Sequence, residues 1–135
     1  MIVTDASVLL SFAVRDERTE LVEAVYESDP VWVAPLLWRS EVRSALAKYM
    51  EYAGLSVESA MLAIHAVEEI INGHEYRVSS EQVLELAAQS ECTAYDCEYV
   101  ALARELDAWL VTADKKILKA FPKIAVPLEK FAKKK

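Results

Sequence analysis

The sequence predicts an α/β fold, a short five-stranded parallel sheet with helices on both faces, and three observations lead there. Short apolar runs alternate with helical segments along almost the whole chain. The runs are rich in β-branched residues and lack polar alternation, as strands covered on both faces do. Breaks are sparse: glycine occurs twice, at Gly54 and Gly73, and proline four times, so no linker or low-complexity stretch divides the chain. A length of 135 residues with 54% apolar content is expected to make one domain over 1–135 with a substantial core.

Ile2-Val3-Thr4 reads as the first strand. Helices over 6–14 and 17–27 follow, broken at the charged pair Arg15-Asp16. Asp29-Pro30 marks a turn, and 31–34 forms the second strand. Pro35 is expected to open a long helix ending near Gly54, because proline suits a first helical turn. Ser56 starts the next helix, whose apolar positions are Met61, Leu62, Ile64, Val67 and Ile71, and Asn72-Gly73 stops it. The third strand is 76–78. Helices over 80–90 and 94–106 lead to a fourth strand at 108–112. A short helix over 115–120 is ended by Pro122, and 124–126 makes an edge strand. In sheets of this kind, sites lie beyond the carboxyl ends of the strands.

Composition excludes several classes. No apolar run approaches the roughly 18 residues of a membrane span. The first residues read as a strand rather than a signal peptide, so a cytoplasmic location is expected. Cys92 and Cys97 match neither a redox nor a zinc spacing, and reduced thiols are the plain reading. His65 and His74 are isolated. A net charge of −7 and a pI near 4.9 argue against a general nucleic-acid binder. Eight of the 15 basic residues follow position 114: Lys115, Lys116, Lys119, Lys123, Lys130, Lys133, Lys134 and Lys135. They read either as a solvated tail plus helix C-terminal lysines, or as a patch for phosphates or an acidic partner.

Four acids stand where another residue type would be ordinary. Asp5 and Asp114 each follow a strand, at positions where a helix N-cap would also explain them. Glu41 lies at the edge of a helical stripe formed by Trp38, Val42, Ala45, Leu46 and Tyr49. Asp96 sits among Tyr99, Val100 and Ala103 on the buried side of its helix. Thr93-Ala94-Tyr95-Asp96 also has the form of a capping box, and a carboxylate has two oxygens, so both roles can coexist. Glu98 is read as solvated or as an outer acid. Carboxylates gathered in one pocket repel unless something positive neutralises them, and hard divalent cations do this best.

These segments resemble the PIN-domain ribonucleases, most closely the VapC-type toxins of toxin–antitoxin pairs. The matching pieces are Ile2-Val3-Thr4-Asp5-Ala6-Ser7-Val8, Pro35-Leu36 through Glu41-Val42, Thr93-Ala94-Tyr95-Asp96-Cys97-Glu98-Tyr99-Val100-Ala101-Leu102-Ala103, and Leu110-Val111-Thr112-Ala113-Asp114-Lys115-Lys116. The resemblance implies that Asp5, Glu41, Asp96 and Asp114 hold Mg²⁺ or Mn²⁺, supported by Ser7 and Thr112. It implies metal-assisted hydrolysis of RNA, in which Asp96 or Asp114 orients the attacking water. It also implies a homodimer and a cognate antitoxin, for which Trp38, Tyr49, Tyr52 and Met61 are candidate surfaces. Two positions depart from the family pattern, Ser44 in place of asparagine and Asp107 in place of glycine, and neither removes a carboxylate.

Arg15, Arg18, Arg39, Arg43, Lys115 and Lys116 are candidates to line the rim and hold the phosphate. Competing chemistries fit less well. A haloacid-dehalogenase-type phosphatase needs a second aspartate where Ser7 stands, and a phosphoacceptor receiver domain needs an aspartate after the third strand. An RNA-processing PIN nuclease and a catalytically silent PIN-like module remain as alternatives.

Overall fold

The computed structural model describes residues 1–132. Lys133, Lys134 and Lys135 of the basic cluster lie outside the described residues. Five strands, β1 (Ile2–Thr4), β2 (Trp32–Pro35), β3 (Glu75–Tyr76), β4 (Leu110–Val111) and β5 (Ala125–Val126), form one sheet in the order β3-β2-β1-β4-β5. Every neighbouring pair is parallel. The chain builds outward from β1 through β2 to β3, then returns to the other side of β1 to lay down β4. That reversal makes a switch point between β1 and β4, where α/β sheets open a crevice at their carboxyl ends.

The helices are α1 (Ala6–Ala13), α2 (Thr19–Ser28), α3 (Trp38–Ala53), α4 (Val57–Ile71), α5 (Ser80–Ala88), α6 (Ala94–Leu106), α7 (Lys115–Ala120) and α8 (Leu128–Ala132). α6 packs across β1, β2 and β4, with α5 against it, while α4 contacts β2 and groups with α1 and α3. The strands are almost wholly buried apart from β3, which is why their sequences show no alternation.

Caps behave as the local sequence dictates. Ser56 and Ser79 accept N–H bonds at the starts of α4 and α5. Gly54, Asn72 and Asp107 end α3, α4 and α6 with positive φ. Asp107, at φ 52°, does the work of the family's glycine, since a short polar side chain tolerates this conformation.

Two expectations need correction. Pro35 does not open a helix: it is the last residue of β2, and α3 begins three residues later at Trp38. The N–H groups of Ala34 and Leu36 donate to the carbonyls of His74, just before β3, and Tyr76, within it. The missing N–H of Pro35 therefore falls on the β1 side, past the last β1–β2 register pair at Val3 and Val33, where no bond is lost. The third strand is Glu75–Tyr76 rather than 76–78, set by that same pairing. The C-terminal stretch also carries a helix that was not expected, α8, whose Leu128 and Phe131 are buried and which packs on α2, while Lys115, Lys116, Lys119, Lys123 and Lys130 are exposed.

A guanidinium brace ties β3 to the start of α3. Arg39 donates to both oxygens of Glu75, at 2.8 and 3.1 Å, and to Glu68 at 2.6 Å. The indole of Trp38 donates to the same Glu75 at 2.7 Å. The fork geometry and neighbouring carboxylates hold the arginine charged and pull Glu75 below its usual range.

Thr4 is fully buried in β1, and its hydroxyl has no hydrogen-bond partner. A buried unsatisfied hydroxyl costs on the order of 1 kcal/mol or more. Thr4→Val, of the same shape, is expected to raise stability by about 1 kcal/mol. A thermal melt showing a lower midpoint for the variant would contradict this.

Candidate active site

Each candidate acid is placed by a separate element. Asp5 directly follows β1 and caps α1. Its Oδ1 accepts from the Val8 amide at 3.1 Å and the Ser7 hydroxyl at 2.8 Å, and its Oδ2 accepts a short bond from Thr112. The Thr112 hydroxyl in turn accepts from the Asp114 amide at 3.0 Å. Thr112 thus links the carboxyl ends of β1 and β4 through one oxygen. Asp114 caps α7, with Oδ1 accepting from the amides of Lys116 and Ile117 at 2.8 and 3.3 Å.

Asp96 completes the capping box. Its amide donates to the Thr93 hydroxyl at 3.0 Å, and its Oδ2 accepts from the Thr93 amide at 3.2 Å. Glu41 stands in the first turn of α3, and its Oε1 accepts from the Tyr99 hydroxyl at 2.8 Å. In Glu41, Asp96 and Asp114, one carboxylate oxygen fixes the side chain, and the other has no protein hydrogen bond among the described residues. Capping and a role in the site therefore do not compete.

All four acids line one cleft of about 440 Å³, together with Ser7, Arg18, Ala45 and Tyr99. Burial lifts the Asp5 carboxyl above its ordinary 3.8, and the charge of Asp114 adds to this against the lowering hydrogen bonds. Burial likewise lifts Glu41, opposed by the Tyr99 hydrogen bond and reinforced by the charges of Asp5, Asp96 and Glu98. Burial first, then the adjacent Glu41 charge, pushes the Tyr99 phenol far above the tyrosine range, so it acts as a donor only.

The donor set is all oxygen, which suits hard cations. Among the described residues no three acids, histidines or cysteines are gathered tightly enough to form a ready-made metal cage. Carboxylates spread around an open cleft match Mg²⁺ better than a closed cage would, since that ion keeps several waters and takes few protein ligands. Cys92 and Cys97 are buried free thiols and do not line the cleft, nor do His65 and His74.

The basic candidates divide. Arg18 lines the cleft, and Lys115 lines a neighbouring one that shares Arg18. Arg39 and Arg43 do not reach the acids: both line a groove between α3 and α4, and Arg39 is held by Glu68 and Glu75. Arg15 faces solvent in a loose pair with Glu20. Of the candidate interaction surfaces, Trp38 is fully buried, whereas Tyr52 and Met61 are exposed.

Sequence reading missed the part played by Tyr99, which it assigned simply to the core. A tyrosine on a buried stripe needs a partner for its hydroxyl, and that was the available signal.

Comparison with known proteins bears on the family and the fold. A family model for the PIN domain matches residues 2–124. Ribonuclease VapC3 from Pyrobaculum aerophilum is 28% identical over 130 residues, covering 93% of this chain and 98% of that protein. The crystal structure of PAE2754 from Pyrobaculum aerophilum superposes with a TM-score of 0.70 at 23% identity, covering 97% of this chain and 92% of the other.

Proposed function

The chain belongs to the PIN domain family, and from that premise we propose that it is a divalent-metal-dependent endoribonuclease, the toxin of a VapBC-type toxin–antitoxin pair. The observation that carries this reading is the convergence of Asp5, Glu41, Asp96 and Asp114 on one cleft, three of them with an oxygen to spare. Those four residues would hold Mg²⁺ or Mn²⁺. The bound cation supplies Lewis-acid polarisation of the scissile phosphate and a lowered pKa for the attacking water.

The protein's own groups supply the positioning. Asp5, fixed through both oxygens, is the rigid wall of the site. Glu41 is aimed by Tyr99, and Asp96 and Asp114 are aimed by the helix starts they cap. Asp96 or Asp114 accepts a hydrogen bond from the water that attacks phosphorus. Arg18, exposed on the same cleft, offsets phosphate charge in an otherwise acidic site.

RNA is the proposed substrate, and a cognate antitoxin and a second copy of the chain are the proposed partners. No helix among the described residues is long and apolar enough to cross a membrane. We place the activity in the cytoplasm, in keeping with the two free thiols.

The test compares wild type and Asp96→Asn on a mixed structured RNA, with and without Mn²⁺ or Mg²⁺. Asparagine keeps an acceptor for the Thr93 amide, so the cap and fold should survive. The expected result is metal-dependent cleavage by wild type, reduced about 100-fold or more in the variant. Equal cleavage by the two proteins would remove Asp96 from the mechanism. A failure of either protein to bind metal in a calorimetric titration would favour a catalytically silent module.

A further inference from the structure

A second cleft, of about 390 Å³, opens at the end of β3 and is lined by Leu36, Tyr76, Arg77, Val78, Leu84 and Glu98, among others. It adjoins the carboxylate site through α6. On α6, Glu98 falls two residues after Asp96 and directly before the Tyr99 whose hydroxyl donates to Glu41. Leu36 forms another link: it directly follows β2, and its amide donates to the Tyr76 carbonyl at 3.1 Å.

The walls combine apolar and charged side chains. Leu36 and Leu84 are 45% and 64% exposed, and Tyr76 and Val78 are half-buried beside them. Against these apolar faces stand one carboxylate, on the half-buried Glu98, and one exposed guanidinium, on Arg77. Scattered exposed leucines mean little. Leucines lining a cleft with an aromatic ring and a single acid, next to carboxylates suited to phosphate chemistry, fit a flat ligand with apolar faces and a polar edge. A nucleobase is such a ligand, and unpaired bases are read by stacking and by hydrogen bonds to their edges.

The acid selects among bases. An ionised glutamate only accepts hydrogen bonds. Guanine presents two adjacent donors, N1–H and the N2 amino group, to both oxygens of one carboxylate. Adenine and cytosine present one amino group next to an acceptor, and uracil a single N–H between two acceptors. We propose that this cleft binds a guanine base of the RNA beside the scissile phosphate, with Glu98 reading its Watson–Crick edge, Tyr76 supporting its face and Arg77 meeting a flanking phosphate. The proposal rests on the nuclease reading above and assigns its base specificity.

The experiment uses the full chain with Mn²⁺ and four short oligouridines, one unmodified and three carrying a single central G, A or C. Wild type is expected to cut the G-containing strand next to the guanine, about 10- to 100-fold faster than the others, the discrimination typical of a paired base contact. Glu98→Gln should lose that preference while still cutting the all-uridine strand in a metal-dependent way, since Glu98 is not among the four proposed metal ligands. Leu84→Ser, at an exposed position, should weaken the preference without altering the fold.

Cleavage by wild type without a guanine preference, or with one that Glu98→Gln retains, would overturn the base pocket and leave the nuclease reading standing. Absence of cleavage on all four strands and on mixed RNA would remove both. If Leu84→Ser instead changed the oligomeric mass and left cleavage untouched, the cleft would be a protein interface and the proposal would fall.

Discussion

Asp5→Asn is expected to abolish RNA cleavage and, in the absence of metal, to make the protein more stable. The loss of activity should exceed the roughly 100-fold that changes to outer residues of metal sites can cause, because Asp5 is a proposed ligand itself. Stability should move the other way because Asp5 is 8% exposed and its charge is opposed by burial. Asparagine keeps an oxygen for Ser7 and Val8, and the Thr112 hydroxyl can turn to accept from the new amide.

The pH dependence has a definite sign. The folded Asp5 and Glu41 carboxyls are raised above their ordinary 3.8 and 4.5. Protonation therefore favours the metal-free fold: the stabilisation is fully present below those ordinary values and is lost as pH rises through the raised folded values. Glu75, which is lowered, runs oppositely, contributing above its ordinary value and losing that contribution as pH falls. The advantage of Asp5→Asn over wild type should thus grow as pH rises from the acid range toward neutrality. Saturating Mn²⁺ should reverse it, since metal binding stabilises only the protein that keeps its ligand. Melting curves across pH, with metal and with chelator, measure both effects. A variant less stable than wild type in chelator at neutral pH would contradict the burial argument.

Tyr99→Phe is expected to lower cleavage about 10- to 100-fold and to weaken metal affinity, while leaving the fold intact. The change removes only the hydroxyl that donates to Glu41 at 2.8 Å. Without that bond Glu41 is freer to rotate, and the one interaction that lowers its pKa from a neighbouring side chain is gone. The pH profile of metal binding should therefore shift toward higher pH, because more of Glu41 must be deprotonated by competition with metal. Titration of Mn²⁺ at several pH values reads this shift. Unchanged affinity and profile would reduce Tyr99 to packing.

Much of this was legible beforehand because the relevant signals are local. The cap at Asp96 follows from Thr93 three residues earlier, the boundaries of α6 and α7 were read correctly, and the left-handed end of α6 follows from Asp107. Pro35 was misread because its meaning depends on a neighbour: proline can open a helix or close a strand, and only the β3 pairing decides. α8 was missed because five residues with two buried positions give no periodic signal against a run of lysines. Arg39 and Arg43 fall away from the acids for a similar reason, since nearness in sequence to an acid says little about which helix face a side chain occupies.

Local spacing accounts for the alternation of strands and helices, the family resemblance, and the choice of the four candidate acids, because spacing within an element is enforced by backbone geometry. Only the tertiary structure decided what surrounds those acids. The strand order places β1 beside β4, so that Thr112 meets Asp5 although the two are 107 positions apart in the chain. The packing of α6 and α3 at the sheet's carboxyl end brings Tyr99 to Glu41, and the β2–β3 pairing brings Tyr76 into a cleft with Glu98. Those contacts arise from burying the apolar faces of distant segments together, a cooperative choice that no local pattern encodes.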